Sequence, residues 1–541
     1  MCFNRTIAII GVVVVAALIG LRCSGGQVAG TITQSGNGIV SGSVVDGDEP
    51  VAGARVLLIP VQHDPVTDAS LAGSLIDTTG PAGDFLIFAP VQDDYNVMVE
   101  HQSGKNALSY GVSFVTSDTQ DAGRLSLTDP GFVAVIIHDT AVAGSAYVYI
   151  PGTTIFTPVQ GDTVLLENIP AGVIPQVRFH PGDTAGTDHT VCEDISVSSG
   201  DTTLVNDYSP WSFSATIHLN TTASGADVPG EVVDFPLLIR LSSDNFDFSR
   251  AENNGIDIRF TKRDGSSLPY EVERWDAAAQ RAEIWVKVDT IRGNDSTQSI
   301  VMYWGNSDAS EGSDGAAVFD TASGFAGVWH LSENGTTVDD ATANGIDGVA
   351  KETVTVTGAI GTAQEFDGTS SFVRASGPAT DALNFSEDDD YSVSAWIRTD
   401  ALDTLFHGIV YKSNFQYGLQ MRPEKVWEFL TYTDGASWEM SRASVEDTAW
   451  HYLVGVRNGA EQYLYVDGVR IDSAMVTIET NAVRDYSQPL EIGHCPDGGE
   501  DPDRYFDGSI DEVRIAKVAT GADWVKLCYM NQKDRDVLVK W

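Results

Sequence analysis

Three groups of residues in this chain could do chemistry: clustered carboxylates, tryptophans in strand-like runs, and scattered histidines and cysteines. Acidic loops occur at Asp339-Asp340, Asp388 to Asp390 and Asp497 to Asp503, with Asp511 further on. Such loops suit divalent cations, calcium above all, although none has the fixed ligand spacing of an EF-hand. Glu271 and Glu273 stand two apart, so on a strand they share one face, where two carboxylates can divide acid and nucleophile roles. No third partner is evident beside them, and a structural or solvated role is the reading favoured. The tryptophans suit carbohydrate, because the apolar C–H face of a pyranose stacks on an aromatic ring while carboxylates and amides take its hydroxyls. Alternation puts Trp396 in phase with Ser392, Ser394 and Arg398 and opposite Val393, Ala395 and Ile397. Trp427, Trp438 and Tyr417 lie on neighbouring segments. For each ring, packing in a sandwich core is the weightier alternative, because a sandwich with two covered faces buries tryptophan in either phase.

The ten histidines are scattered; His330 and His451 each follow a tryptophan and read as strand-end packing residues. No His-Glu-x-x-His, Gly-x-Ser-x-Gly or phosphate-loop pattern occurs. Cys2 and Cys23 sit near the N terminus, leaving Cys192, Cys495 and Cys528, too few for a disulfide scaffold and without metal-ligand spacing. A bridge between Cys495 and Cys528 in an oxidising compartment and buried thiols are the two readings. Lysine plus arginine number 32 against 76 acids, a net charge of −44. Such a surface repels phosphate backbones and anionic headgroups, so nucleic acid is not an expected partner and a membrane is reached only through an N-terminal anchor.

Residues Ile7 to Leu21 form an apolar run of fifteen residues behind Arg5, short of a transmembrane helix and suited to a signal-peptide core. Cys23 stands just after it, followed by Ser24-Gly25-Gly26. The arrangement resembles a bacterial lipoprotein leader over residues 1–23, with Cys23 as the acylated residue and 24–37 as a flexible tether. Arg22 occupies the position where such leaders carry a small residue, so ordinary cleavage and a retained anchor stay open beside lipidation. Each of these readings exports the chain, to the outer membrane or cell surface or beyond it.

The elements that must position these groups are strands. At 541 residues the chain exceeds one core, and three to five domains are expected. Short alternating runs end at Asp-Gly pairs, and Gln462 to Ile471 reads as a hairpin turning at Asp467-Gly468. The fold class expected is all-β, a multidomain chain of β-sandwiches.

The order of Gly327–Leu331, Ala363–Gly368, Tyr391–Ile397, Trp450–Val456 and Phe506–Ile515 resembles the LamG-like jelly roll of the concanavalin A-like lectin/glucanase superfamily, placed at 316–520. The resemblance implies paired antiparallel sheets and a structural calcium held by an early-loop carboxylate and the acid before the final strand, positions that Asp340 and Asp511 match. Laminarinase-type members carry two glutamates and an aspartate on one strand; no Glu-x-Asp-x-x-Glu occurs in this region, so an enzyme reading rests on fold analogy.

Upstream, Asn254–Phe260, Leu268–Trp275, Ala282–Val288 and Ile300–Asn306 resemble the domain of unknown function 2341, at 209–308, often found next to LamG-like domains in bacterial surface proteins. Val40–Val45, Pro50–Leu58, Gly83–Ile87 and Tyr95–Val99 resemble the carboxypeptidase regulatory-like sandwich, at 38–127, which implies a spacer or support. Residues 128–208 read as a second small all-β unit, with a repeat of its neighbour one reading, and 521–541 as an extension closing in a short helix or strand. The function expected is exported, non-catalytic binding or adhesion at the cell surface. A polysaccharide or glycoprotein would be held through Trp396, Trp427 and Trp438. A structural surface protein that contacts other proteins is the second reading, and a polysaccharide-degrading enzyme the third.

Overall fold

The computed structural model describes residues 37–541 apart from 91–93, 115–118, 139–143, 183–187, 387–388, 401, 403–404, 413–415, 434–436, 446, 477–487 and 497–503; the side chains of 37, 433, 437 and 438 are also outside the description. Four β-sandwiches follow one another. In the first, Asn37–Asp46 pairs antiparallel with Asp84–Pro90 and parallel with Thr119–Ser126. The facing sheet runs Ile76–Thr78, Arg55–Pro60, Tyr95–Glu100, Asn106–Val112. Strict alternation builds it: Phe85, Ile87 and Ala89 point into the core while Leu86 and Phe88 point out.

The second sandwich repeats that strand order. Gly131–Ile137 pairs antiparallel with Thr163–Ile169 and parallel with Thr202–Asp207. Its facing sheet runs Phe156–Pro158, Tyr147–Tyr149, Gly172–His180, His189–Val197. The unit with no recognisable sequence thus has its neighbour's topology.

The third sandwich sets Val232–Ser242, Arg281–Ile291 and Tyr270–Asp276 against a sheet centred on Ser299–Trp304 and Phe213–Leu219. The C-terminal strand Val539–Lys540 adds to the latter, with Leu219 opposite Val539.

The jelly roll has two sheets of eight strands each among the described residues. One, the junction sheet, is centred on Asp507–Ala516, Tyr391–Thr399 and His451–Asn458. The other, the open sheet, runs from Thr337–Val338 through Leu490–Ile492, His407–Lys412, Tyr417–Arg422 and Val426–Thr433 to Ser437–Ser444. Trp329, Phe366, Tyr391, Trp427 and Phe429 fill the space between them. Asp467 and Gly468 have φ of 51° and 79°, the left-handed pair a two-residue hairpin turn needs. Asp507-Gly508 is different: it lies inside a strand, and a Cβ on Gly508 would sit 2.1 Å from the Arg398 carbonyl oxygen, so glycine is required there by close approach rather than by a turn.

The third sandwich and the jelly roll share one core. Phe325, Val328, Ile360, Trp396, Tyr452, Val454 and Tyr465, on the outer face of the junction sheet, belong to the same buried cluster as Leu237, Trp285 and Val286. The helix Ala522–Gln532 completes it with Val525, Leu527 and Cys528. Asn531 grips the strand Val232–Ser242: its Oδ1 accepts from Leu238 N at 2.8 Å and its Nδ2 donates to Leu238 O at 3.0 Å. Arg240 donates to the carbonyls of Asn531 and Gln532, satisfying helix C-terminal acceptors that have no partner within the helix. Residues 521–541 are therefore a clamp across two domains. No helix among the described residues is long and apolar enough to cross a membrane.

Candidate functional site

The residues expected to bind do not converge. Trp396 is on the outer face of its sheet, as alternation predicts, but only 2% exposed. The C-terminal helix covers it: Trp396 Nε1 donates to Gln532 Oε1 at 2.8 Å, and Tyr529 stacks on the indole at 5.9 Å and 23°. Trp427 points the other way, into the space between the sheets, and is 1% exposed. Trp438 pairs with Tyr432 across adjacent strands, and its side chain is outside the described residues. Trp396 and Trp427 are thus core residues, and a sugar-stacking platform built on them is corrected. The covering element, a helix more than a hundred residues away in sequence, is what alternation could not reveal.

The expected metal pair, Asp340 and Asp511, has structural partners. Asp340 accepts hydrogen bonds from Val328 N, Thr342 N, Thr342 Oγ1 and Ile346 N, at 2.9 to 3.0 Å, which commits both oxygens to organising its own loop. Asp511 is fully buried and accepts from Ile360 N at 2.8 Å at the seam with the third sandwich. Asp340 thus has no oxygen without a partner to offer the calcium that the jelly-roll resemblance implies. Nor does a disulfide join Cys495 to Cys528: Cys495 packs with Tyr411 and Leu430 on the open sheet, and Cys528 lies in the core under the junction sheet. Cys23, Asp388 and the loop from Asp497 to Asp503 lie outside the described residues.

Glu271 and Glu273, which had no partner in sequence, acquire partners in space. His330 lies 3.2 Å through Nε2 from Glu271 and 2.6 Å through Nδ1 from Glu512. Arg514 holds the other oxygen of Glu512 at 2.7 Å and lies 4.3 Å over the Trp285 ring. Burial lowers the His330 pKa, but the charges of Glu512, Glu271 and Glu273 outweigh it and hold the imidazole well above its ordinary value. Burial, with Glu512 adding to it, pushes Glu273 above the usual carboxylate range. The partners stand 59 and 182 residues apart in the chain, so no local pattern could have found them.

The outer face of the other sheet carries a polar strip. Along Tyr417–Arg422 and Val426–Thr433 the alternation sends Leu419, Met421, Trp427 and Phe429 inward and Gln420, Arg422 and Glu428 outward. Glu428 is held by Arg442 Nε at 2.6 Å, Gln420 Nε2 at 2.8 Å and Arg422 Nη1 at 3.4 Å. Glu491 is held by Arg374 Nε at 2.7 Å and lies 2.5 Å from His494 Nδ1. Both carboxylates are buried beneath arginines that reach solvent, Arg442 at 52% and Arg374 at 46% side-chain exposure. Phe372 lies under Arg374 at 4.6 Å and Phe406 under Arg422 at 5.4 Å. The result is a rigid polar strip of charge-assisted hydrogen bonds with aromatic rings at its margins.

Residues 367–526 match the family model of the concanavalin A-like lectin/glucanases superfamily. Residues 254–332 match that of a domain of unknown function, DUF2341. The C-terminal unit is thus a concanavalin A-like jelly roll. The second match runs past the third sandwich into the first jelly-roll strand, so it contains Glu271, Glu273 and His330 together.

Among solved structures, the chain is similar to the binding domain of Paraclostridial Mosquitocidal Protein 1, at 15% identity and a TM-score of 0.33, over 38% of this chain and 52% of that one. It is also similar to domain 4 of AbnA, an extracellular GH43 arabinanase of Geobacillus stearothermophilus in complex with arabinotriose, at 20% identity and 0.29, over 38% and 97%. The binding domain of botulinum neurotoxin DC in complex with SialylT aligns at 12% and 0.31, over 39% and 52%. The chain spans about half the length of the first of these. No curated protein matches the sequence.

Proposed function

We propose that this is an exported, non-catalytic surface protein whose jelly roll captures a ligand, a glycan by first choice, on the outer face of its open sheet. One observation carries the reading: the outer face of the junction sheet is filled by the third sandwich and the C-terminal helix, whereas on the other sheet Arg442 and Arg374 reach solvent above their buried glutamates. Hydrogen-bonding groups fixed in advance on a rigid sheet suit hydroxyl-rich ligands, because little ordering is left for binding to do. Turnover is disfavoured by spacing. Glu491 and Glu428 lie three strand positions apart, about 14 Å between backbones at ordinary strand separation. Paired glycosidase carboxylates stand about 5 to 9.5 Å apart. Each is also pinned by its own arginine.

The full chain passed over a polysaccharide and sialoglycan panel should be retained, and Arg442→Ala with Arg374→Ala should abolish retention while Trp396→Phe leaves it unchanged. Retention that ignores the arginine changes sinks the reading. Capture of surface proteins with no glycan retained favours the contact-protein alternative, and reducing-sugar release favours the enzyme. Export is inferred from the apolar run and Cys23. The intact mass of the mature N terminus should show cleavage, with or without acyl chains, and an unprocessed Met1 in a cytoplasmic fraction rejects it.

A further inference from the structure

We propose that Glu273, His330 and Glu512 form a site for one divalent transition ion, zinc or manganese, at the seam between the third sandwich and the jelly roll. This stands independently of the ligand-binding face. One donor atom from each residue lies within 4.8 Å of the others. His330 Nδ1 is 2.6 Å from Glu512 Oε1 and 3.8 Å from Glu273 Oε2.

The surroundings are those of a built metal site. Metal-bound histidines give their second ring N–H to a carboxylate, which sets the tautomer; Glu271 Oε2 stands 3.2 Å from His330 Nε2 and leaves Nδ1 as the ligand atom. The two carboxylates are held in turn, Glu512 by Arg514 and Glu273 by Trp285 Nε1 at 2.8 Å. Glu273 has a side-chain exposure of 1%, and its Oε1 has no hydrogen-bond partner among the described residues. An unpaired carboxylate oxygen inside a protein is costly, and a cation relieves that cost.

The backbone is shaped to bring these groups inward. Ile510 and Val513 both pack between the sheets, so Asp511 and Glu512 both face the seam. That departure from alternation is a bulge, with Glu512 at φ 52° and a register shift against Tyr391–Thr399. Leu331, directly after His330, is also left-handed at φ 60°.

The donor set selects the ion. An imidazole with two carboxylates suits zinc or manganese, whereas calcium takes oxygen ligands throughout. The His330 and Glu512 donors, now 2.6 Å apart, must part to about 3.0–3.4 Å to sit about 2.1 Å from one ion at octahedral or tetrahedral angles. A surface cleft lined by Arg240, Arg274, Glu283, Gly358, Ala359 and Gly361 lies on the Gly361 side of Glu273. A Cβ on Gly361 would stand 3.1 Å from Glu273 Oε1, so the turn there packs directly against the carboxylate. With Glu273 on one domain and His330 and Glu512 on the other, the ion would cross-link them.

The full chain, stripped with a chelator, is incubated separately with Zn2+, Mn2+ and Ca2+, desalted and assayed for bound metal and melting temperature. About one equivalent of zinc or manganese per chain is expected, with a raised melting temperature and no calcium. Glu512→Gln and Glu273→Gln should lose the ion, and Glu271→Gln should weaken binding roughly 10- to 100-fold, the usual cost of a lost outer partner. No uptake, or uptake that both glutamine variants retain, overturns the site and leaves a metal-free ion-pair cluster. Should the variants fail to fold, Co2+ bound to the native chain replaces them: ligand-field bands are expected, and their absence overturns the proposal.

Discussion

Asp367 shows how a single carboxylate builds this fold. It accepts from the backbone N–H and the hydroxyl of each of Thr369, Ser370 and Ser371, tying the turn after Thr362–Asp367 to itself. Partial burial raises its pKa, but those donors, Ser371 first, outweigh it and hold the carboxyl far below the usual range. A folded pKa below the unfolded one adds stability that is present above the unfolded value of 3.8 and is lost as pH falls toward the folded one. Asp367→Asn should therefore lower the melting temperature at pH 7, with the gap to the native chain narrowing as pH falls below 3.8. A gap independent of pH would show that the carboxylate charge is irrelevant. Trp396 makes the complementary point: its phase on the strand is legible, and its use is not.

The elements that decide accessibility are small. The helix Ala522–Gln532 has eleven residues, yet it shields Trp396, inserts Cys528 and Leu527 into the shared core and binds Leu238 through Asn531. It also packs against a hairpin turn: a Cβ on Gly468 would come within 3.2 Å of Lys526 Cα and Tyr529 Cβ. The left-handed pair Asp467-Gly468 thus closes a hairpin and makes room for the helix at once. The bulge at Glu512 is the other deciding element, because one extra residue turns two acids toward the seam instead of one.

For the molecule as a whole, continuity of the core predicts cooperativity. The third sandwich, the jelly roll and the C-terminal helix bury one cluster, so they should unfold together. Calorimetry should give a single transition for these units, and a chain ending at Gly521 should lose the native transition of both domains, having bared Trp396 and removed Val539 from its sheet. Two separate transitions, or a truncated chain that melts normally, would contradict a shared core. The first two sandwiches are also joined, since Leu57, Ile59 and Met98 of the first pack in the core of the second. Tyr147 of the second donates to Asp64 of the first at 2.6 Å.

What the sequence determined by itself is local. Alternation of apolar and polar residues and Asp-Gly pairs are enough to specify all-β sandwiches and the hairpin at Asp467, because strand and turn preferences act over two to ten residues, and the concanavalin A-like jelly roll was legible as a resemblance in the order of its segments. The face on which Trp396 and Glu273 lie follows from the same two-residue period. Tertiary structure alone decided what meets each face. A helix from the end of the chain covers Trp396, His330 comes to Glu271 and Glu273, and Glu512 arrives on a bulged strand 182 residues beyond His330. Contacts of that separation are selected by the packing of whole sheets, and no short-range pattern encodes them.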